Sequence, residues 1–257
     1  MEFLTLLGKV FLDFLRATGR VALFTFKTLY YSLTPPFYWK SFLVQLIEVG
    51  FYSLPVVALT TLFSGMVIAL QTYTGFARFS AEGAVALVVL ISITRELAPV
   101  MAGLMVAGRI GASMAAELGT MKVTEQIDAL TTLSTNPFRY LIAPRVLAGI
   151  IMLPVLVLIG DVIGICGGYL IGVYKLNFNP TTYLSNTWSY LESLDIITGV
   201  VKAAVFGFII TLLGCYQGYH SKGGAQGVGA ATTNAVVSSS ILILIFNYII
   251  TEIFFKS

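Results

Sequence analysis

Charge is what this chain has least of. Charged residues fill 11% of its 257 positions, fifteen basic and twelve acidic, where an average soluble domain carries about 25%. A water-soluble globule of this size needs a polar surface that these residues cannot supply. A cytosolic enzyme, a secreted disulfide scaffold and a disordered tail are excluded. Histidine occurs once, as His220 in a polar loop, so neither a His-based metal site nor a Ser-His-Asp triad can be built within one chain. No catalytic and no metal-ligating residue is assigned. The two cysteines, Cys166 and Cys215, fall in long apolar runs and read as small hydrophobes rather than as a disulfide. A net charge of +3 gives a nucleic-acid partner no electrostatic support. A phosphate-cradling P-loop is missing as well: Gly8-Lys9 lacks the preceding glycine, and Lys222-Gly223-Gly224-Ala225-Gln226-Gly227 has glycines without the Gly-Lys-Ser/Thr order. No cofactor is assigned, and any ATP must be bound by another chain.

What is present is apolar: 57% of the residues are hydrophobic and mean hydropathy is +0.90. The composition predicts an all-α integral membrane protein built as one domain. Residues 1–34 read as a helix on which Glu2, Lys9, Asp13, Arg16, Arg20 and Lys27 share an arc of about 60°. Such a narrow charged stripe suits a helix lying in the membrane interface; an amphipathic helix packed on protein is the other reading. Pro35-Pro36 ends it. Five apolar stretches are then long enough to cross about 30 Å of hydrocarbon: 49–72, 84–108, 146–172, 198–218 and 234–255. Pro55 and Pro99 lie within the first and second and can bend them. With the N-terminus inside, ten Lys and Arg fall on the inner side and three, Arg78, Lys175 and Lys256, on the outer. That asymmetry places the N-terminus in the cytoplasm and the C-terminus outside.

The 109–145 connection is comparatively polar and helix-forming, with Met121, Ile127, Leu130 and Leu133 at helical spacing. It reads either as a cytoplasmic helix that a soluble partner grips or as a solvated connector. Within the spans, ionisable groups are costly and tend to face a cavity or a partner. Arg95 and Glu96 lie near the middle of the second span; a guanidinium there can meet a headgroup phosphate, or the two can fix helix register. Lys202 and Glu252 lie at similar depth and are expected to pair. Asp161 in the third span reads as a helix partner. Gly160, Gly164, Gly168 and Gly172 form a small-residue stripe, either an intrachain contact, which is favoured, or a dimer seam. Ile68, Leu70, Tyr73, Phe76 and Phe79, at the outer end of the first span, either line acyl chains or are ordinary core, and Gln71 is a candidate headgroup contact. The segment from Thr181 to Leu194 is helix-compatible and lies where an external partner can be braced.

Several blocks resemble the MlaE/YrbE permease family. They are Arg95-Glu96-Leu97-Ala98-Pro99-Val100, Ala107-Gly108-Arg109-Ile110-Gly111, Ala116-Glu117-Leu118-Gly119-Thr120-Met121 and Thr124-Glu125-Gln126, joined by Gly65-Met66-Val67-Ile68-Ala69-Leu70-Gln71 and Val236-Val237-Ser238-Ser239-Ser240. Taken in order they cover essentially the whole chain. The resemblance implies a homodimeric permease of the bacterial inner membrane. It would belong to an ATP-driven phospholipid transporter that maintains outer-membrane lipid asymmetry. Implied partners are a cytoplasmic ABC ATPase, a periplasmic MCE-domain protein and, in some systems, a STAS-domain subunit. The ATPase would grip Glu117, Gly119, Lys122, Glu125, Gln126, Asp128 and Leu130, and the lipid cavity would lie near Arg95 and Glu96. The family pattern has an acidic residue at the position of Asn247, a departure that leaves Glu252 as the substitute partner of Lys202. Two rivals from other classes are an ion- or proton-coupled transporter and a membrane anchor for a two-sided complex.

Overall fold

The computed structural model describes residues 2–77 and 84–255, and the chain is 89% helical. Its α-helices are α1 (Glu2–Leu33), α2 (Trp39–Val49), α3 (Leu54–Phe76), α4 (Val85–Ser92), α5 (Ala98–Val106), α6 (Ala112–Val123), α7 (Gln126–Thr132), α8 (Ala143–Tyr174), α9 (Pro180–Tyr190), α10 (Ser193–Tyr219) and α11 (Gly224–Phe255). Run together, they make five segments long and apolar enough to cross a membrane: Trp39–Phe76, Val85–Val123, Phe138–Tyr174, Ser193–Tyr219 and Gly224–Phe255.

Several boundaries differ from those expected: the third, fourth and fifth segments start earlier, at Phe138, Ser193 and Gly224 rather than 146, 198 and 234, and two further differences lie in the first and second. The first segment begins at Trp39 rather than 49, because α2 feeds α3 through a turn at Gly50–Ser53. Pro55 sits in the first turn of α3, where its missing N–H has no helical acceptor to lose. The second segment does not end at 108 but runs to Val123. Its 39 residues span about 58 Å at 1.5 Å each, far more than the hydrocarbon needs. The extension is helical because Met114, Ala115, Leu118 and Gly119 are buried where α10 and α11 pack on α6, while Ser113, Glu117 and Thr120 interrupt the apolar run in sequence.

Three π turns, Ile93–Leu97, Ala107–Gly111 and Phe138–Ile142, interrupt these helices. The first and third end two residues before a proline, Pro99 and Pro144. A proline ring clashes with the carbonyl four residues back and offers it no N–H, and a widened turn relieves that clash.

Helix α8 packs between α3 and α10, α10 is the most enclosed segment, and α11 lies along α10 and α6. The glycine stripe on α8 is an intrachain seam. Gly160 faces Val57 and Thr61, Gly164 faces Thr61 and Ile93, Gly168 faces Val89, and Gly172 faces Tyr183 and Phe178. On α11 the buried positions recur every fourth residue, Ala231, Ala235, Ser239 and Ile243, while Val237, Ile241, Leu244 and Tyr248 are exposed on the other face. The charges Lys9, Asp13, Arg16, Arg20 and Lys27 of α1 are all exposed. Phe24 anchors α1 to the bundle, its ring 5.2 Å from Phe138 and 5.4 Å from Tyr216.

Candidate functional site

The π turn Ile93–Leu97 carries Arg95 and Glu96 into a charged knot between the second, fourth and fifth spans. Lys202 of α10, fully buried, donates from Nζ to Glu96 Oε1 at 2.9 Å and to the main-chain oxygen of Arg95 at 2.8 Å. Glu96 also accepts from Asn247 Nδ2 at 2.8 Å and from Thr251 Oγ1 at 3.0 Å. Arg95 turns the other way: its Nε donates to Asp195 Oδ1 at 2.6 Å, and its guanidinium lies 4.3 Å from the centre of the Phe255 ring. Gly199 lets α10 approach this closely, since a Cβ there would lie 2.9 Å from the carbonyl oxygen of Thr94.

Two positive and two negative groups thus neutralise one another inside an apolar bundle, where an unpaired charge is expensive. They are not equally enclosed. The side chains of Lys202 and Asp195 are 0% exposed, whereas Glu96 is 41% and Arg95 26% exposed. Lys202 and Asp195 therefore form a buried backing, and Glu96 and Arg95 form the face that a polar ligand can reach.

The expected pair of Lys202 with Glu252 does not form. Lys202 bonds Glu96 instead, and Glu252 is exposed. The reason is rotation: residues 247 and 251 extend the every-fourth-residue stripe that α11 buries, and residue 252 is turned about 100° from it. Asn247 meets the Lys202 partner rather than Lys202 itself. Asp195, Asn247 and Thr251 were not among the sequence candidates. Asp195 and Lys202 are seven residues apart, two turns on one helix face, so that signal was available.

The first-span candidates lie elsewhere. Ile68 and Tyr73 pack against the core, with the Tyr73 ring 5.8 Å from Phe178. Leu70 and Phe76 are half-buried and Gln71 is exposed; Phe79 lies outside the described residues. Among the described residues no hydrogen bond or ring contact ties this group to the knot. Asp161 is buried, and its Oδ1 has no hydrogen-bond partner.

At the far end of the second segment, Glu125 adopts a left-handed φ of 61° and starts α7. Ile127 is buried and Leu130 packs on the core, fixing α7, while Glu125, Gln126 and Asp128 are exposed. Lys122 Nζ donates to Asp128 at 2.8 Å. Arg145 donates to Glu117 Oε2 at 2.7 Å. Gly119 is buried, and its carbonyl accepts from Ser221 Oγ at 3.3 Å. Glu125, Gln126 and Asp128 thus form an exposed ledge. Within the described residues no group of three His, Cys, Asp or Glu side chains is placed to hold a metal.

The family described as Permease MlaE matches residues 42–253. A probable ABC transporter permease protein of Rickettsia typhi is 62% identical over 251 residues, covering 98% of this chain and 97% of the relative. The intermembrane phospholipid transport system permease protein MlaE of Haemophilus influenzae is 36% identical over 260 residues, covering 99% and 98%. The chloroplast protein Trigalactosyldiacylglycerol 1 of Arabidopsis thaliana is 38% identical over 221 residues, covering 85% of this chain and 63% of the relative. With the match running from the first span through the Glu96 knot to the last turn of α11, this chain belongs to the MlaE permease family.

Proposed function

We propose that this chain is the membrane passage of an ATP-driven phospholipid transporter of the bacterial inner membrane. Its N-terminus is cytoplasmic and its ATPase is a separate subunit. The observation that carries this reading is the half-open knot, in which Arg95 and Glu96 face outward over a buried Lys202–Asp195 backing, not in mid-span but where the fourth segment starts and the fifth ends, at Asp195 and Phe255. A zwitterionic or anionic headgroup needs a cation to meet its phosphate and a non-aqueous wall beside it. Arg95 supplies the first, and its terminal nitrogens have no acceptor among the described residues. The apolar spans supply the second.

Two copies of the chain would enclose the passage, with α11 and its exposed apolar face as the element left to line it or to meet the second copy. The ledge of Glu125, Gln126 and Asp128 is where the ATPase would dock. Movement of that subunit would reach the knot through the continuous Val85–Val123 segment, whose π turns are the places where a helix changes register most readily. On the opposite side, α9, capped by the Asn179 side chain on the N–H groups of Thr181 and Thr182, would brace an MCE-domain partner. Support for lipid as cargo comes from the relative in Haemophilus influenzae.

Mild purification of the tagged protein from its native membrane, followed by mass spectrometry of co-purifying chains and lipids, tests the reading. An ABC ATPase, an MCE protein and stoichiometric phospholipid are expected, with the lipid lost from Arg95→Ala. A lone chain with only bulk lipid, found reproducibly, overturns it.

A further inference from the structure

A cavity lies away from the Glu96 knot, where the end of α1, the Pro35–Pro36 turn and the start of α2 meet α8. It has a volume of about 320 Å³, within the range of about 300–1,000 Å³ of small-molecule sites. Its wall on the third span is a ladder of every fourth residue, Arg139, Ala143, Leu147 and Ile151, which is one helix face. The ladder is cationic at one end and aliphatic at the other. Twelve residues of helix separate its ends, about 18 Å. Trp39 and Phe42 form the opposite wall.

The polar end holds unspent hydrogen-bonding capacity. Arg139 makes no ion pair among the described residues. Its hydrogen bond to Thr34 Oγ1 is long, at 3.4 Å, its guanidinium lies 5.1 Å from the Tyr31 ring centre, and its buried Nε has no acceptor. Beside it, Ser32 is 7% exposed and its Oγ has no partner. A buried donor without an acceptor costs free energy, and here two converge on one cavity. No carboxylate lines it.

We propose that this cavity binds one anionic phospholipid, its phosphate held by Arg139 and Ser32 and an acyl chain lying along Leu147 and Ile151. A single molecule shaped this way satisfies the orphaned donors and covers the exposed side chain of Ile151 at the same time. It fastens α1 to the third span, at a place separate from any passage through Glu96. Guanidinium geometry suits a phosphate through paired hydrogen bonds, and the aromatic wall suits the level of the headgroups.

The test uses the full-length protein in phosphatidylcholine vesicles with a trace of phosphatidylglycerol bearing a diazirine at its acyl terminus. Light-induced labelling is mapped by peptide mass spectrometry. The label is expected to concentrate on the peptide containing Leu147 and Ile151. Arg139→Gln lowers it about tenfold, as loss of charge-assisted hydrogen bonds implies, and Arg139→Lys restores a fraction of it. Leu147→Trp fills the groove, leaves Arg139 in place and also removes the label. Excess inorganic phosphate leaves the wild-type label intact. Label spread evenly over α3, α8 and α11, or unchanged in both Arg139→Gln and Leu147→Trp, overturns the proposal. Displacement by inorganic phosphate reassigns the site to a free anion and overturns it too. Lipid transport does not enter the readout, so this proposal and the transport reading fail separately.

Discussion

Lys202 donates to the main-chain oxygen of Arg95 at 2.8 Å, inside the widened turn Ile93–Leu97 that leads into Pro99. In an unbroken α-helix the N–H of residue 99 would bond the carbonyl of residue 95. Proline brings no N–H to this stretch, and a side chain from another span supplies a donor to it. The same ammonium bonds Glu96, so a backbone carbonyl and a half-exposed carboxylate are satisfied by one buried group.

This linkage predicts a coupling between positions 99 and 202. Lys202→Met strands both Glu96 and the Arg95 carbonyl and is expected to cost about 2–4 kcal/mol. Pro99→Ala supplies the missing N–H, so the double variant should recover about 1 kcal/mol of that loss. Thermal unfolding of the four proteins in one detergent measures the cycle. Strict additivity would show that Lys202 acts on Glu96 alone.

Glu96 and Glu252 should behave oppositely. Glu96→Gln removes the countercharge of a fully buried lysine and should destabilise the protein by about 3 kcal/mol or more. Glu252→Gln, exposed and turned about 100° from the buried stripe of α11, should stay within about 0.5 kcal/mol of wild type. Comparable losses in the two variants would show that the Glu252 carboxylate reaches Lys202 after all.

How much of this is legible in the sequence follows from what helical periodicity can and cannot carry. Five long apolar runs announce the spans, because hydrocarbon thickness demands that length. The partner of Lys202 escapes because depth in the membrane says nothing about rotation around a helix. The buried stripe Ala231, Ala235, Ser239 and Ile243 extends at the same spacing to Asn247 and Thr251, and that register points at Glu96. Asp195 reads as the edge of a loop, since the residues just before it are polar, although its seven-residue spacing from Lys202 marks one face. That the helix beyond Arg109 continues the second span is hidden by Ser113, Glu117 and Thr120, which break the apolar run without breaking the helix. The Arg139 cavity has no local signature at all: it arises from three segments that meet only once α1 has folded back on α8.

The glycine seam gives a steric prediction. A methyl group on Gly65 would run into the carbonyl of Gly164 on α8, so Gly65→Ala must push apart a pair of helices that touch through backbone. Overpacking of this kind costs about 1–3 kcal/mol. Gly75, on the same helix with open space around it, should accept alanine with no loss, or a gain of up to about 1 kcal/mol from helix propensity. Melting temperatures of the two single variants decide it, and equal behaviour would mean that α3 and α8 are not in backbone contact.

A pH prediction comes from Tyr183 on α9, whose ring lies 5.8 Å from Tyr169 and 6.3 Å from Phe178. Burial pushes its phenol up from 10.0 to about 12. The folded state favours the neutral form, and the unfolded chain ionises first. The contribution of Tyr183 to stability is therefore full below pH 10 and is lost as pH climbs towards about 12. Denaturation followed across that window should show a steeper loss in wild type than in Tyr183→Phe. Parallel curves would place the hydroxyl in water.

The two ion pairs beside α7 look alike in distance and should differ sharply in energy. Lys122 and Asp128 are 2.8 Å apart with side chains 32% and 59% exposed, so water already solvates both. Asp128→Asn is expected to cost less than about 1 kcal/mol. Arg145 is 8% exposed, its Nε and Nη1 have no partner, and Glu117 at 2.7 Å is its one countercharge among the described residues. Glu117→Gln leaves a buried guanidinium uncompensated and should cost about 3 kcal/mol. Glu117→Asp shortens the reach and should fall between. The ranking also separates stability from docking: Asp128→Asn should weaken capture of the ATPase subunit while leaving the melting temperature unchanged, because Asp128 faces outward and Glu117 is tied to Arg145. If Asp128→Asn lowers stability as much as Glu117→Gln does, the exposed ledge belongs to the folded core and has no surface to offer a partner.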